Sequence, residues 1–478
     1  MAEPGYEIGM IGLGVMGRNL ALNIADRGFS VVGTDKESGK VQALRSEAKG
    51  RRVQGADDLK GFIDSLRRPR AVMMLVPAGP PVDTVIRELI PHLEAGDLII
   101  DGGNSYFKET DRRASALSER GILFLGVGIS GGEQGARRGP SIMPGGPKEG
   151  YDRVRPIFEA AAAKVEGTPC VAWLGPGSAG HYVKMVHNGI EYGLMQLIAE
   201  SYDVMKRGLG LTNDALADLF DQWNRTELNA YLIEITARIF RRIDEKTGQR
   251  LIDLIRDEAK EKGTGKWTAQ DAMELQVPVP TIDIAVAMRD LSAFKDQREA
   301  AAKRLGGPPR RFQGDRNAFL DRMREALYAA MLLTYVQGMA QLRSASDAYD
   351  YNLNLTEVAR IWRGGCIIRA ALLEEIRAAY RDHPDLPHLL LEDRFAQEAA
   401  SRQEPLRAVV QQAAASGIPV PGFMVSLAYF DGYRSERLPA NLIQAQRDYF
   451  GAHTYERTDE AGVFHTAWDE ESGGADVG

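Results

Sequence analysis

The segment Gly12-Leu13-Gly14-Val15-Met16-Gly17 constrains the fold of this chain more than any other. It follows the strand-like run Tyr6 to Ile11 and opens a helical pattern, so its glycines fall at a strand–turn–helix junction. Glycine there permits a tight turn and lets a pyrophosphate approach free N–H groups at the helix N-terminus, where the dipole favours negative charge. The spacing alone is weak. The strand before it, the helix after it and an acid, Asp35, at the end of the next strand make it a dinucleotide-binding fingerprint.

The pattern around the turn fits. Ser30 to Gly33, Ala71 to Val76, Leu98 to Ile100 and Ile122 to Gly126 are further strand-like runs, separated by amphipathic stretches such as Val82 to Leu93 and Lys108 to Arg120. This alternation predicts an α/β Rossmann-type doubly wound sheet domain over residues 1–177. Gly175-Pro176-Gly177-Ser178-Ala179-Gly180 breaks the chain, and beyond it the strand signal almost vanishes. Leu228 to Ile243, Phe319 to Leu342 and Ile367 to Tyr380 are helical by period and length, giving a large all-α domain over 178–437. Gly306-Gly307-Pro308-Pro309-Arg310-Arg311 has the composition of a surface loop. A faint echo between the Trp223 and Trp362 regions hints at an internal duplication. From Leu438 the pattern turns irregular, which predicts a tail over 438–478 with a frayed Gly/Asp/Glu-rich end.

A length of 478 residues exceeds one ordinary core, in line with this division. The hydrophobic share of 44% and charged share of 26% are those of a soluble globular protein. A net charge of −7 gives no general pull toward nucleic acid or anionic membrane, so any phosphate site must be a local cluster. The two cysteines, Cys170 and Cys366, fit a reducing compartment rather than a disulfide scaffold. With no apolar run of membrane-spanning length and no leader pattern before the first strand, a cytoplasmic protein is expected.

The second telling feature is His181-Tyr182-Val183-Lys184-Met185-Val186-His187-Asn188-Gly189-Ile190-Glu191-Tyr192. As a helix it places Lys184, His187, Asn188, Glu191 and Tyr192 within one arc of roughly 140°. Val183, Met185, Val186 and Ile190 take the rest. A lone Lys/Glu pair is most simply a solvated stripe. Five functional-type residues among buried-type ones argue instead for a site in which a base and an acid stand about 10 Å apart along the axis.

Asp35 bears on the cofactor. A carboxylate at that place accepts hydrogen bonds from the ribose hydroxyls of NAD and repels the 2′-phosphate of NADP. Glu37 reinforces the repulsion and Lys36 offsets part of it, so the residues favour NAD.

Several segments together resemble the decarboxylating 6-phosphogluconate dehydrogenases. They are the glycine turn, Ile100-Asp101-Gly102-Gly103-Asn104-Ser105, Ile129-Ser130-Gly131-Gly132-Glu133, the Lys184 helix, Lys262-Gly263-Thr264-Gly265-Lys266-Trp267-Thr268, and Gln446-Arg447-Asp448-Tyr449-Phe450-Gly451-Ala452-His453. They run in order from about residue 6 to about residue 468. The resemblance implies Lys184 as general base and Glu191 as general acid. It implies that Asn104, Ser130, Gly131, Gly132, His187, Asn188, Tyr192, Lys262, Arg289, Arg447 and His453 hold 6-phosphogluconate. Gly12 to Gly17, Asp35 to Glu37, Val76, Pro77, Ala78 and Asn104 would border the cofactor. It further implies a homodimer whose C-terminal tail enters the partner's site, so that Arg447 and His453 serve the neighbouring subunit.

Two departures concern the cofactor only. Asp35-Lys36-Glu37 stands where NADP-dependent members typically carry Asn-Arg-Thr, and Pro77 stands where a lysine often follows the fourth strand. NADP is the family's usual cofactor; these positions point to NAD.

The implied chemistry suits the residues. Oxidising a secondary alcohol needs a hydride acceptor and a base, and a lysine serves if burial keeps it partly neutral. The resulting β-keto acid loses CO2 when its ketone is polarised, and the remaining enediol needs an acid such as Glu191 with a raised pKa. No carboxylate cluster for a divalent cation is evident, so a metal-independent reaction is expected. Lys262, Thr264, Arg289 and Arg447 would take the substrate phosphate, with Gly-Thr-Gly as a phosphate loop. The rival is a β-hydroxyacid dehydrogenase for an unphosphorylated substrate, usually a shorter chain with no need of Lys262 or Arg447. A non-catalytic dinucleotide sensor would not need both Lys184 and Glu191. Whether the pathway role is NADPH supply in the pentose phosphate pathway or gluconate utilisation is left open by the sequence.

Overall fold

The computed structural model describes residues 5–308, 312 and 314–468. Residues 309–311 of the glycine–proline–arginine loop and the acidic end, 469–478, lie outside the described residues. The chain divides into two compact units, Met1–Leu427 and Ala428–Gly478.

The first unit opens with β1 (Ile8–Ile11), α1 (Val15–Asp26), β2 (Val31–Thr34), α2 (Ser38–Ala48), β3 (Val53–Gly55), α3 (Leu59–Asp64), β4 (Ala71–Met74) and α4 (Pro80–Leu89). It continues with β5 (Leu98–Asp101), α5 (Phe107–Ser118), β6 (Leu123–Ser130), α6 (Gly132–Arg138), β7 (Ser141–Gly145) and α7 (Lys148–Ala161). The sheet order is β3-β2-β1-β4-β5-β6-β7, parallel except for β7, which runs antiparallel to β6. The order reverses beside β1, and the glycine turn leaves the carboxyl end of that strand, where doubly wound sheets bind ligands. Ile8, Met10, Val31, Met73 and Ile100 feed one core cluster, while Val32, Val72, Met74 and Ile99 feed another. That alternation is the period of a sheet covered on both faces.

Two strands escape the sequence pattern. β3 is short and half-exposed. β7 carries Pro144, which a central strand would reject and an edge strand tolerates.

A small hairpin of β8 (Lys164–Val165) and β9 (Thr168–Pro169) precedes the helical region. There follow α8 (Ala179–Asp203), α9 (Asn213–Trp223), α10 (Tyr231–Arg241), α11 (Thr264–Glu274), α12 (Pro280–Ala293) and α13 (Lys295–Ala302). Next come the 33-residue α14 (Arg316–Ala348), α15 (Leu355–Trp362), α16 (Leu372–Asp382), α17 (Asp393–Ser401), α18 (Gln403–Ala415) and α19 (Pro421–Tyr433). α8 packs on β6, β7, α11 and α14, which makes it the link between sheet and helices. The Trp223 and Trp362 echo has a structural counterpart. α9 and α15 each end on the tryptophan, and the links that follow meet in an antiparallel bridge, Ala230 to Ala370. Tyr231 N donates to Arg369 O at 3.0 Å and Ala371 N to Asn229 O at 2.9 Å.

The second unit corrects the expectation of an irregular stretch from Leu438. It holds α20 (Ala440–Gly451) and a hairpin of β10 (Tyr455–Glu456) and β11 (Val463–Phe464). A single buried carboxylate organises it. Asp448 accepts from Thr454 N, Thr466 N, Trp468 Nε1 and His465 Nδ1, all at 2.9–3.0 Å. The apolar residues Leu442, Ile443, Tyr449 and Phe450 are exposed, which removes the hydrophobic period that would have revealed the helix. Among the described residues, no helix is long and apolar enough to cross a membrane.

Candidate active site

At the glycine turn, close approach dictates the residues. A Cβ at Gly12 would lie 2.5 Å from Leu75 O, and one at Gly17 only 1.9 Å from Gly12 O. Gly14 instead faces open space. That space belongs to a cleft of 690 Å3 lined by Gly14, Val15, Met16, Gly17, Val76, Pro77, Ala78, Asn104 and Lys262. Free N–H groups at the N-terminus of α1, the open approach at Gly14 and a lysine fit a dinucleotide pyrophosphate.

Asp35 is tied inward. One oxygen accepts from Leu13 N at 2.7 Å and the other from Glu37 N at 2.9 Å, so the carboxylate braces the glycine turn. Lys40 Nζ lies 2.7 Å from Glu37 and 3.8 Å from Asp35, and Lys36 Nζ 3.2 Å from Glu88. The corner is therefore internally paired, and Lys40 is a cation that the sequence reading passed over.

The Lys184 helix is buried all round in its first three turns, which excludes a solvated stripe. Lys184 is 5% exposed and His187 fully buried. Lys184 Nζ donates to Asn188 Oδ1 at 2.7 Å and lies 3.4 Å from His187 Nδ1. His187 Nδ1 is itself 3.0 Å from Asn188 Oδ1, and Nε2 is 3.2 Å from Ser130 Oγ. A carbonyl oxygen only accepts, so His187 carries its proton on Nδ1 and receives the Ser130 hydroxyl on Nε2. Ser130 Oγ also accepts from Ile367 N at 3.4 Å, and Asn188 Nδ2 donates to Thr264 Oγ1 at 3.1 Å. Glu191 Oε2 lies 4.0 Å from His187 Nδ1.

Burial governs the electrostatics. It pushes Lys184 below the usual lysine range, against the pull of Glu191. It pushes Glu191 above the usual carboxylate range, against Lys184 and Arg289. It also holds His187 well below the ordinary imidazole value, helped by the Lys184 charge. Both shifts of the pair favour neutral amine with protonated acid, a tautomer holding the same single proton as ammonium with carboxylate. The two groups therefore titrate as a pair.

Arg289 joins this group by stacking its guanidinium 3.5 Å over the Tyr192 ring. Gly265 makes room for that ring, since a Cβ there would lie 2.3 Å from it. Gly265 thus serves packing, while Gly263 caps α11 and Thr264 begins it. Arg447 and His453 belong to the second unit, where both are exposed. There Arg447 donates to Gln444 at 3.0 Å, and His453 packs edge-on to Phe450.

One wall of the site was missed from sequence. Gly131, at the turn between β6 and α6, packs against Gly365, whose carbonyl a Cβ would meet at 2.5 Å. Trp362 stands edge-on to His187 at 5.6 Å. The Gly364-Gly365 pair after that tryptophan was the available signal. Among the described residues, no group of three or more His, Cys, Asp or Glu could hold a metal ion.

Comparison with known proteins agrees with this geometry. Residues 7–175 match the model of the NAD binding domain of 6-phosphogluconate dehydrogenase, and residues 180–468 match that of its C-terminal domain. The chain belongs to the 6-phosphogluconate dehydrogenase family. The NADP(+)-dependent, decarboxylating member from Bacillus subtilis is 52% identical over 97% of this chain and 99% of its own length. The decarboxylating 6-phosphogluconate dehydrogenase of Escherichia coli is 51% identical over the same shares, 97% and 99%. The Plasmodium falciparum 6-phosphogluconate dehydrogenase, solved apo, with its cofactor NADP+ and with its substrate 6-phosphogluconate, superposes with a TM-score of 0.92. It is 45% identical over 96% of this chain and 100% of its own.

Proposed function

We propose that this chain oxidises 6-phosphogluconate and decarboxylates it to ribulose 5-phosphate and CO2, with reduction of NAD(P)+. The observation that carries this reading is the pair of buried Lys184 and half-buried Glu191 on one helix face, beside a dinucleotide cleft, in a member of the family. When bound, the nicotinamide supplies the hydride acceptor. Lys184, kept partly neutral by burial, takes the proton of the substrate's C3 hydroxyl as the hydride leaves. Its new ammonium then polarises the C3 ketone, the C1–C2 bond breaks and CO2 departs. The electron pair stays as an enediol. Lys184 gives its proton to the C3 oxygen to complete the enediol. Glu191 then protonates the former C2, now the terminal carbon, while Lys184 takes back the enediol hydroxyl proton. That proton restores Glu191, so the sum needs no external proton.

Ser130, Gly131, Gly132, His187, Asn188, Tyr192 and Asn104 would orient the substrate. Lys262, Thr264 and Arg289 would meet its phosphate, joined by Arg447 and His453 from the tail of a neighbouring subunit in a homodimer. In this division of labour residues 1–177 bind cofactor, 178–437 bind substrate and 438–478 complete the partner's site. No step calls on a metal, and the buried free cysteines suit a cytoplasmic setting. For the cofactor, the charge of Asp35 with Glu37 and the absence of a cation at Pro77 favour NAD over the family's usual NADP.

The test is an assay with 6-phosphogluconate and, separately, gluconate, with a chelator present. Equimolar reduced cofactor and CO2 from 6-phosphogluconate alone is expected. Equal turnover of gluconate would favour the β-hydroxyacid reading.

A further inference from the structure

The reaction above gives the buried imidazole of His181 no role. His181 lies on α8 three residues before Lys184 and is 1% exposed. Its Nδ1 lies 2.7 Å from Thr110 Oγ1 and its Nε2 3.1 Å from the main-chain oxygen of Asp101. Strand β6 makes way for it: a Cβ at Gly126 would lie 2.8 Å from Nδ1. Asp101 ends β5 and begins the turn that carries Asn104. Its carboxylate, fully buried, accepts from Gly103 N at 3.0 Å and Ser105 Oγ at 2.6 Å. Gly102, Gly103 and Asn104 of that turn line the dinucleotide cleft.

The tautomer follows from the partners. A carbonyl accepts only, so Nε2 bears the proton, and Nδ1 receives the Thr110 hydroxyl. Burial and the nearby Arg113 charge disfavour the imidazolium, against the pull of Asp101.

We propose that His181 is a positioning residue that fixes the Asp101–Ser105 turn, and with it Asn104 and the cofactor cleft, at a set distance from Lys184. The turn is closed from within by Asp101 and held from outside by the helix bearing the base. Less than one helical turn, about 4.5 Å of rise, separates His181 from Lys184. A shift of the turn would therefore displace the hydride acceptor relative to the proton acceptor. Such misplacement costs rate steeply, about 10²-fold for 1 Å.

The role of Lys184 in this inference rests on the proposed reaction, but the cofactor readout does not. His181→Leu removes the donor at similar volume, and His181→Gln keeps an N–H donor at the place of Nε2. Thr110→Val removes the hydroxyl from the other side and serves if His181→Leu does not fold. For His181→Leu, the dissociation constant of NADH or NADPH, read by fluorescence, should rise on the order of tenfold, the effect of losing one buried hydrogen bond. Its kcat should fall at least as far, with 6-phosphogluconate binding, which feels the turn through Asn104 alone, weakened less than cofactor binding (each tenfold being about 1.4 kcal/mol). His181→Gln should recover most of both losses, and Thr110→Val should show a smaller change of the same kind. Unchanged cofactor binding and kcat in folded His181→Leu would overturn the proposal. So would equal losses in the Leu and Gln variants that track only their melting temperatures. If the unmodified chain binds cofactor but does not turn over 6-phosphogluconate, the functional reading fails while the binding comparison still decides the role of His181.

Discussion

The Lys184–Glu191 helix face and the Asp35–Lys40 corner are both clusters of opposite charges beside the same cleft, yet they work under different physics. On the helix face, burial supplies the dominant shift. The amine is driven down and the acid up against their own mutual attraction and the Arg289 charge, and the hydrogen-bond partner of Lys184 is a neutral amide. At the corner, the lysines reach carboxylates directly and the outer groups stand in water, with Lys36 side chain 72% exposed. Charge in water is screened and mutually cancelled. Charge taken from water is costly, and that cost becomes proton-transfer power. In the proposed reading, chemistry therefore belongs to the first cluster, and a graded preference between two cofactors to the second.

The largest effect should come from the buried face. Lys184→Met should lower turnover by about 10²–10⁴-fold or more, the usual worth of a general base. Steady-state production of reduced cofactor checks it, and a near-normal rate would erase the contrast between the clusters. Glu191→Gln should instead let hydride transfer proceed and impair protonation of the enediol.

A second test asks whether exposed groups become site residues when a partner covers them. Arg447 and His453 are exposed within their unit. Truncation after Leu438 should cost on the order of 10²-fold in kcat/KM, about 2.7 kcal/mol of transition-state binding, with cofactor binding retained. Mixing Lys184→Met with Arg447→Ala protein under subunit exchange should restore activity, since one composite site per heterodimer is intact. No recovery despite proven exchange would place each tail in its own subunit's site.

The smallest effect belongs to the corner. Unit charges about 4 Å apart at an effective dielectric near 20 interact by roughly 4 kcal/mol. Lys40 and Lys36 cancel much of this, and a remainder near a quarter of it is several-fold in affinity. kcat/KM for NAD should equal or exceed that for NADP. Asp35→Asn with Lys36→Arg and Glu37→Thr should swing the ratio toward NADP. A strong NADP preference in the unmodified enzyme would mean that Lys40, not Asp35, sets the local potential.

What the sequence made legible follows the same divide. The parallel strands were visible because both faces are buried and the runs are continuously apolar, and the glycine turn because backbone contacts at Gly12 and Gly17 forbid side chains there. The helix face was visible because functional residues alternate with core residues at helical spacing. The tail helix was hidden because its apolar residues face outward, and β7 because an edge strand admits proline. The Gly365–Ile367 wall and the Asp35 brace on Leu13 are contacts between distant segments, which no local period encodes.

The most direct test of the account is the pH dependence of turnover for the unmodified enzyme and for Glu191→Gln. In the proposed mechanism the active state holds one proton on the Lys184–Glu191 pair. A second proton, added as pH falls, silences the lysine, and loss of the last one, as pH rises, empties the acid. The unmodified enzyme should therefore give a bell-shaped profile whose limbs belong to the pair. Burial should bring the acid limb below the ordinary lysine range and the alkaline limb above the ordinary carboxylate range. In Glu191→Gln the residual rate should rise with pH through the lysine limb and then stay level. A descending alkaline limb that persists in Glu191→Gln would show that another group is the acid, and the shared-proton pair would be wrong.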